Sequence, residues 1–407
     1  MTDRPTDTRP ADLSPAGFQP LLPAMLTDLE ELVSCETPSA DLTAVAAGAQ
    51  RVARLGARDL GTEPEVLVHE GVPHLRWRLG TGPRRVLVLC HQDTVWPLGT
   101  LAEIPWSVTE GVVRGPGCFD MKAGIVLAFT ALSRLRAAGD DLDGVTVLVT
   151  GDEEIGSPTS ADLIRDEARE CAAVFVLEAS ADGGALKTGR KGASMYDLLV
   201  TGRAAHAGLE PEKGVSTTIE LAHQVLAIAD LADPAQGTTV TPTVLASGTT
   251  TNTVPAAGRL SIDVRALAAA EQERVDAGMR ALAPQVPGAV LELRGGINRP
   301  PLEVASSAGL FALAQQVSTQ LGLPAPAAVT VGGASDGNFT AGIGVPTLDG
   351  LGAVGGGAHA AGEHVLAARL PGRAALVAGL VRAVLAPSTH GQDGGGLGVP
   401  DEEPGGE

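Results

Sequence analysis

Hydrophobic positions along the chain switch repeatedly between two spacings. Leu22, Met25, Leu26, Leu29 and Val33 recur at helical intervals, which predicts a helix over residues 21–34, and an Ala-rich helix follows over 42–55. Strands are predicted at 65–68 and, with alternating polarity, at 74–79. The next run, Val86-Leu87-Val88-Leu89-Cys90, is apolar without helical spacing and stops at His91-Gln92-Asp93, as a strand buried on both faces would. Two further runs behave alike: 145–150 stops at Gly151-Asp152-Glu153-Glu154, and 173–177 stops at Glu178. Helices are predicted between them at 121–138, starting after Asp120 and stopping at Gly139, and at 163–169. Strand, polar tip and helix in repetition predict an α/β fold around a mostly parallel sheet, whose chemistry sits at the carboxyl ends of its strands.

The pattern changes near Gly192. Met195, Asp197 and Leu199 alternate along a half-exposed strand over 193–201, and a helix follows over 215–229. Strands at 239–245 and 259–265, a helix at 271–283 and a strand at 289–293 complete two β-α-β-like halves. This predicts a compact, ferredoxin-like α+β insertion over residues 192–298. After Pro300-Pro301 the α/β character returns, with helices at 308–321 and 369–385 and short strands at 327–331 and 345–348. The α/β domain is therefore expected over 19–191 and 299–387, flanked by a disordered N-terminus (1–18) and a disordered acidic tail (388–407). No internal repeat is visible.

Composition narrows the functional classes. With 44% hydrophobic and 19% charged residues the chain reads as globular, and only 2% aromatics leaves its core to Ala, Val and Leu. The net charge of -19 argues against non-specific binding to nucleic acid or to an anionic membrane, both of which need a basic face. Cys35, Cys90, Cys118 and Cys171 form no CxxC pair and read as buried free thiols of a reducing compartment. No apolar run reaches the roughly 18 residues of a membrane span, and the N-terminus lacks an apolar signal core, so a cytoplasmic location is expected.

His91, Asp120, Glu154, Glu178 and His359 fall at the ends of predicted strands or in the loops after them. Two imidazoles and three carboxylates suit a borderline metal such as zinc, and one carboxylate would bridge two ions. Each residue alone has a plainer explanation, a hydrogen-bonded core histidine or a solvated acidic loop; the joint pattern is what points to metal. Glu153, next to Glu154, would face a bound water as general base. Asp93 would accept the second N–H of His91, or would serve only as a turn or cap. Lys187, Arg190 and Lys191 form a basic cluster that would either attract an acidic substrate or be solvated. The run Gly332-Gly333-Ala334-Ser335-Asp336-Gly337-Asn338 is a turn by composition and not a phosphate loop.

The segments VLCHQDTVWP, GPGCFDMKAG, TGDEEIGS, VLEAS and GAHAAGEHV resemble, in order, the signatures of the M20 metallopeptidases, and within them the glutamate carboxypeptidase branch. The resemblance implies a zinc-peptidase-like catalytic domain with an inserted lid and dimerisation domain. It implies two zinc ions per chain, with cobalt or manganese as substitutes. His91 and Glu178 would hold one ion, Glu154 and His359 the other, and Asp120 would bridge them. It also implies a cis peptide between Asp120 and Met121, Glu153 as general acid/base and Asp93 as support for His91. TGRAAHAGLEPEKG resembles the lid signature in which the histidine, here His206, stabilises the oxyanion, often across a homodimer. Asn252 and Arg265 match lid positions that grip the substrate's free carboxylate, although Arg265 also reads as a surface charge. The expected activity is zinc-dependent cleavage of an amide bond beside a free carboxylate in a small peptide, releasing a C-terminal amino acid such as glutamate. The alternative is deacylation of N-acyl amino acids.

Overall fold

The computed structural model describes residues 11–386. At its centre is the strand Val86–His91, every residue of which is buried. It pairs in parallel with Val145–Thr150 on one side and Ala173–Val176 on the other, and Thr347–Leu348 continues the parallel set. Val72–Leu79 and Glu65–His69 close the opposite edge, antiparallel, to give six strands. The unbroken apolar run follows from cover on both faces. Val86, Val88 and Cys90 face one core with the helices Leu22–Val33, Leu42–Leu60, Ala123–Ala137 and Leu370–Leu385. Leu87 and Leu89 face a second core with Ile164, Ala168 and Phe339 from the helices Ala161–Ala168 and Gly337–Gly342.

Ala123–Ala137 lies deepest in the first core. At Gly124 a Cβ would come 2.1 Å from the main-chain oxygen of Leu177, so only glycine lets this helix approach the sheet so closely. The helix begins two residues later than its apolar pattern suggests, because Asp120 and Met121 take non-helical backbone angles around a cis peptide bond.

Residues 192–299 form the second unit. Four antiparallel strands run in the order Thr239–Ser247, Ala257–Ala266, Gly192–Thr201, Val290–Arg299, and the helices Thr217–Ala229 and Ala269–Arg280 cover one face. This βαββαβ order is the ferredoxin-like arrangement. Tyr196, Leu198 and Val200 point into its core, while Met195, Asp197 and Leu199 point to the open face, as their alternation requires.

Several elements depart from expectation. Residues 11–18, expected to be disordered, fold: Ser14 caps the short helix Pro15–Phe18, and Phe18 is fully buried against the first core. Residues 1–10 and the expected acidic tail from 388 lie outside the described residues. Ala328–Val331 pairs with Leu186–Arg190 rather than joining the central sheet. A small sheet of Ser107–Thr109, Val112–Arg114, His364–Leu366 and Gly355–Gly356 has no counterpart in the predicted elements; its strands are too short to show a period. It holds the loop that carries His359.

Candidate metal centre

Three adjacent parallel strands deliver the first donors. His91 is the last residue of its strand, Glu153 and Glu154 sit in the turn after Val145–Thr150, and Glu178 follows Ala173–Val176. Asp120 comes from the turn before the deepest helix. His359 comes from the loop after Gly355–Gly356, with its backbone at φ 61°, a region that residues other than glycine rarely adopt.

These six side chains converge. Nε2 of His91 lies 3.4 Å from Asp120 Oδ1 and 3.2 Å from Glu178 Oε1. Nε2 of His359 lies 3.3 Å from the other oxygen of Asp120 and 3.2 Å from Glu154 Oε2. Donors each about 2.0–2.2 Å from a tetrahedral ion are roughly 3.3–3.5 Å apart, and these spacings lie close to that separation, at or beyond the long end of ordinary N–H···O hydrogen bonds. Two donor groups that share Asp120 result. Donor atoms of His91, Glu153 and Glu178 also lie within 4.8 Å of one another, which puts Glu153 beside the first group. His91 Nε2 and Glu154 Oε1 are buried with no hydrogen-bond partner. Buried polar atoms are rarely left so, and a cation would satisfy both.

The electrostatics agree. The imidazole of His359 is pushed up to about 10 by Asp120 and Glu154. Burial opposes a charge on His91, but Asp120, Asp93 and Glu178 outweigh it and hold its pKa well above the ordinary value. Burial would likewise raise Asp120, yet the two imidazoles keep it well below the carboxylate range. The cluster therefore attracts positive charge, and protons and metal ions compete for the same atoms. Burial drives Glu153 well above the usual range, against the pull of Arg299 and His91.

Behind the donors stand residues that aim them. His91 Nδ1 lies 3.0 Å from the main-chain oxygen of Asp93 and 3.4 Å from its Oδ1. Both are acceptors, so Nδ1 carries a hydrogen, and a cation at Nε2 would take the place of the proton that Asp120 and Glu178 otherwise favour there. The carboxylate of Asp93 does more than steady His91: it accepts the main-chain N–H groups of Glu153 at 3.2 Å and Glu154 at 3.1 Å, and the hydroxyl of Ser39 at 2.6 Å. Asp93 thus fixes a histidine and the acidic turn together.

Arg190 corrects the reading of a basic cluster that is either steering or solvated. It is buried, makes paired contacts of 2.7 and 3.1 Å to Asp349, and reaches Glu178 Oε2 at 3.4 Å. Two further residues had no assigned role in the sequence. Glu363 accepts main-chain N–H groups from Gly117, Phe119 and Asp120 and the indole N–H of Trp96. Arg299 contacts Glu153 Oε1 at 3.0 Å. Their nearest signals were the acidic residue four after His359 and the Arg-Pro-Pro step where the α/β pattern resumes.

The lid residues are not brought to the cluster. His206 pairs with Thr253 across a two-residue ribbon, and Asn252 accepts the N–H of Ala207, so these two are neighbours on an exposed edge. The His206 Nδ1 accepts N–H groups from Gly208 and Leu209, each at 3.1 Å. Arg265 pairs with Asp263 at 2.8 Å. Among the described residues, no hydrogen bond or ion pair links His206, Asn252 or Arg265 to the donor cluster.

Residues 87–383 match the profile of Peptidase family M20/M25/M40, a stretch that includes every donor and the whole lid. The chain belongs to peptidase family M20. Across 376 residues this M20 protein is 31% identical to carboxypeptidase G2 of Pseudomonas sp. (strain RS-16), covering 88% of the chain and 89% of the relative. It is 28% identical over 349 residues to succinyl-diaminopimelate desuccinylase of Methylorubrum extorquens (strain PA1), covering 78% and 88%. Its fold matches that of an M20 family metallo-carboxypeptidase from Sulfolobus solfataricus at a TM-score of 0.70 and 16% identity, over 88% of this chain and 99% of the other. This M20 hydrolase thus has relatives named both as carboxypeptidase and as desuccinylase. No helix among its described residues is long and apolar enough to cross a membrane.

Proposed function

We propose that this M20 protein is a dinuclear zinc hydrolase that cleaves an amide bond beside a free carboxylate and releases a C-terminal amino acid such as glutamate. The observation that carries the reading is the pair of donor groups sharing Asp120, with the buried Glu153 alongside. His91, Glu178 and one oxygen of Asp120 would hold one ion; His359, Glu154 and the other oxygen would hold the second. Bound there, zinc supplies Lewis acidity toward the scissile carbonyl and acidifies a neighbouring water.

The chain's own residues do the rest. Glu153 takes a proton from the water whose oxygen attacks the carbonyl carbon, and delivers it to the nitrogen as the C–N bond breaks. Asp93 keeps His91 in the required tautomer and holds the Glu153 turn in place. His206 would donate a hydrogen bond to the developing oxyanion, Arg265 would pair bidentately with the substrate carboxylate, and Asn252 would complete its grip. We place the protein in the cytoplasm as a homodimer joined through the lid. The similarity to a desuccinylase favours one second reading, an N-acyl-amino-acid deacylase with the same site.

Product analysis separates the two. Zinc-loaded protein is incubated with benzoyl-glycyl-glutamate, N-succinyl-diaminopimelate and N-acetyl-ornithine. Faster release of glutamate than of succinate or acetate supports the carboxypeptidase; the reverse order selects the deacylase. Absence of turnover on all three with two ions bound would remove both substrate assignments.

A further inference from the structure

The last residue of the lid sheet reaches into the catalytic domain. Arg299 ends the strand Val290–Arg299, is 7% exposed, and precedes Pro300. Its Nη2 lies 3.0 Å from Glu153 Oε1, 3.0 Å from the main-chain oxygen of Glu153, 2.6 Å from Ser157 Oγ and 3.1 Å from Asp336 Oδ1. Asp336 is itself held by the hydroxyls of Thr150 and Ser157. The guanidinium stacks 5.3 Å from the centre of the buried Phe339 ring. The neighbouring Asn298 donates to the main-chain oxygen of Gly156 at 3.1 Å, so two successive lid residues grip the turn that carries Glu153.

A carboxylate used to move a proton has to be held in one orientation without being shielded from water. Arg299 meets the first need from the side. It binds one oxygen of Glu153 and the carbonyl of the same residue, which fixes both the side chain and the peptide behind it. All four contacts fall on Nη2, so what calls for arginine is the reach of its planar guanidinium and the stack on Phe339; a lysine keeps the charge but not the stack. Arg299 also offsets the buried negative charge of Glu153 and Asp336, which would otherwise repel each other.

We propose that Arg299 is a positioning residue, carried by the lid, that aims the Glu153 carboxylate and ties the placement of the proton carrier to the placement of the lid. This rests on the reading of Glu153 as general acid/base. Arg299 does not touch the donor atoms of the metal groups. Its effect is exerted through Glu153.

The test uses the full-length, zinc-loaded protein with benzoyl-glycyl-glutamate, together with amide exchange on the metal-free protein. Arg299→Ala is expected to lower kcat by ~100-fold or more while KM stays within ~3-fold and two ions remain bound. Millimolar guanidinium should restore ~10-fold of the loss in Arg299→Ala and leave the wild type unchanged. Arg299→Lys, the variant of choice should Arg299→Ala not fold, is expected to fall about 10-fold in kcat. Amide exchange should quicken in residues 151–157 and stay unaltered in the rest of both domains. A kcat within ~3-fold of wild type in both variants overturns the proposal. So does exchange that quickens throughout both domains together with a loss that guanidinium does not lift, since Arg299 is then a structural staple. Exchange reads the aim of the turn whether or not this substrate is cut. Glu153→Gln, assayed in parallel, separates the two ideas: full activity there removes the premise, whereas an inactive Glu153→Gln beside an active Arg299→Ala removes only the proposal.

Discussion

The carboxylate of Glu363 accepts the main-chain N–H of Asp120 at 3.1 Å. The same group takes Gly117 and Phe119 N–H at 2.9 and 2.8 Å and the Trp96 indole at 2.8 Å. One buried side chain therefore sets the loop from which Asp120 reaches both donor groups. Glu363→Gln keeps the size but turns an acceptor into a partial donor against four N–H groups. It is expected to weaken metal binding by ~10–100-fold. Zinc titration against a competing chelator checks this, and an unchanged dissociation constant would show that the Asp120 loop holds itself.

Glu153 and Glu154 are adjacent, yet their side chains meet different partners. Glu154 lies 3.2 Å from His359, among the donors, while Glu153 is buried against Arg299. Glu153→Gln should therefore leave two ions bound and cut kcat by ~10²–10⁴-fold. Metal analysis and kinetics on one preparation check both halves. Hydrolysis at near wild-type rate with zinc bound would take the proton-carrying role away from this residue.

Far from the site, Glu167 receives Arg76 at 2.6 Å, Arg78 at 2.7 Å and Arg84 at 3.3 Å, with 2% of its side chain exposed. Burial alone would raise its pKa, but Arg78 and Arg76 outweigh that and hold it below the ordinary value. A carboxyl depressed by folding stabilises the native state above its unfolded pKa of about 4.3 and loses that contribution as pH falls through the lower folded value. Glu167→Gln should thus cost on the order of 3 kcal/mol at pH 7, because it leaves three arginines around a neutral amide. The gap should begin to narrow below pH ~4 and close only as pH falls through the lower folded value. Melting temperatures of metal-free wild type and variant at both pH values test it, and a gap that does not narrow would mean the loss is one of packing.

Much of this was written in local sequence. The buried strands were legible because cover on both faces demands unbroken apolar runs, and their polar tips marked His91, Glu154 and Glu178. The alternation at Met195, Asp197 and Leu199 likewise exposed the one-sided lid sheet. What stayed hidden depends on partners remote in the chain. Arg190 looks like a surface charge until Asp349 folds onto it, and Arg299 until Asp336 and Glu153 do. Phe18 sits among prolines and polar residues, a composition typical of disorder, and is ordered only by the distant core it enters. Short strands such as Val112–Arg114 carry too few residues for any period.

His206 poses the last question, because one chain leaves it exposed and without a contact to the donor cluster. If it serves the oxyanion, either the lid of the same chain closes or a second copy supplies the imidazole. Two inactive variants decide between these routes. In a mixed dimer of His206→Ala with Glu153→Gln, the His206→Ala chain keeps its own Glu153, and its partner keeps His206. Supply across the dimer makes one of the two sites whole, whereas supply within a chain makes neither. Random 1:1 reassortment yields mixed dimers in half of the population, so service in trans is expected to restore about a quarter of wild-type activity. Reassortment is verified with distinguishable tags before the assay. A reassorted mixture that stays as inactive as either variant alone would place His206 in its own chain's site.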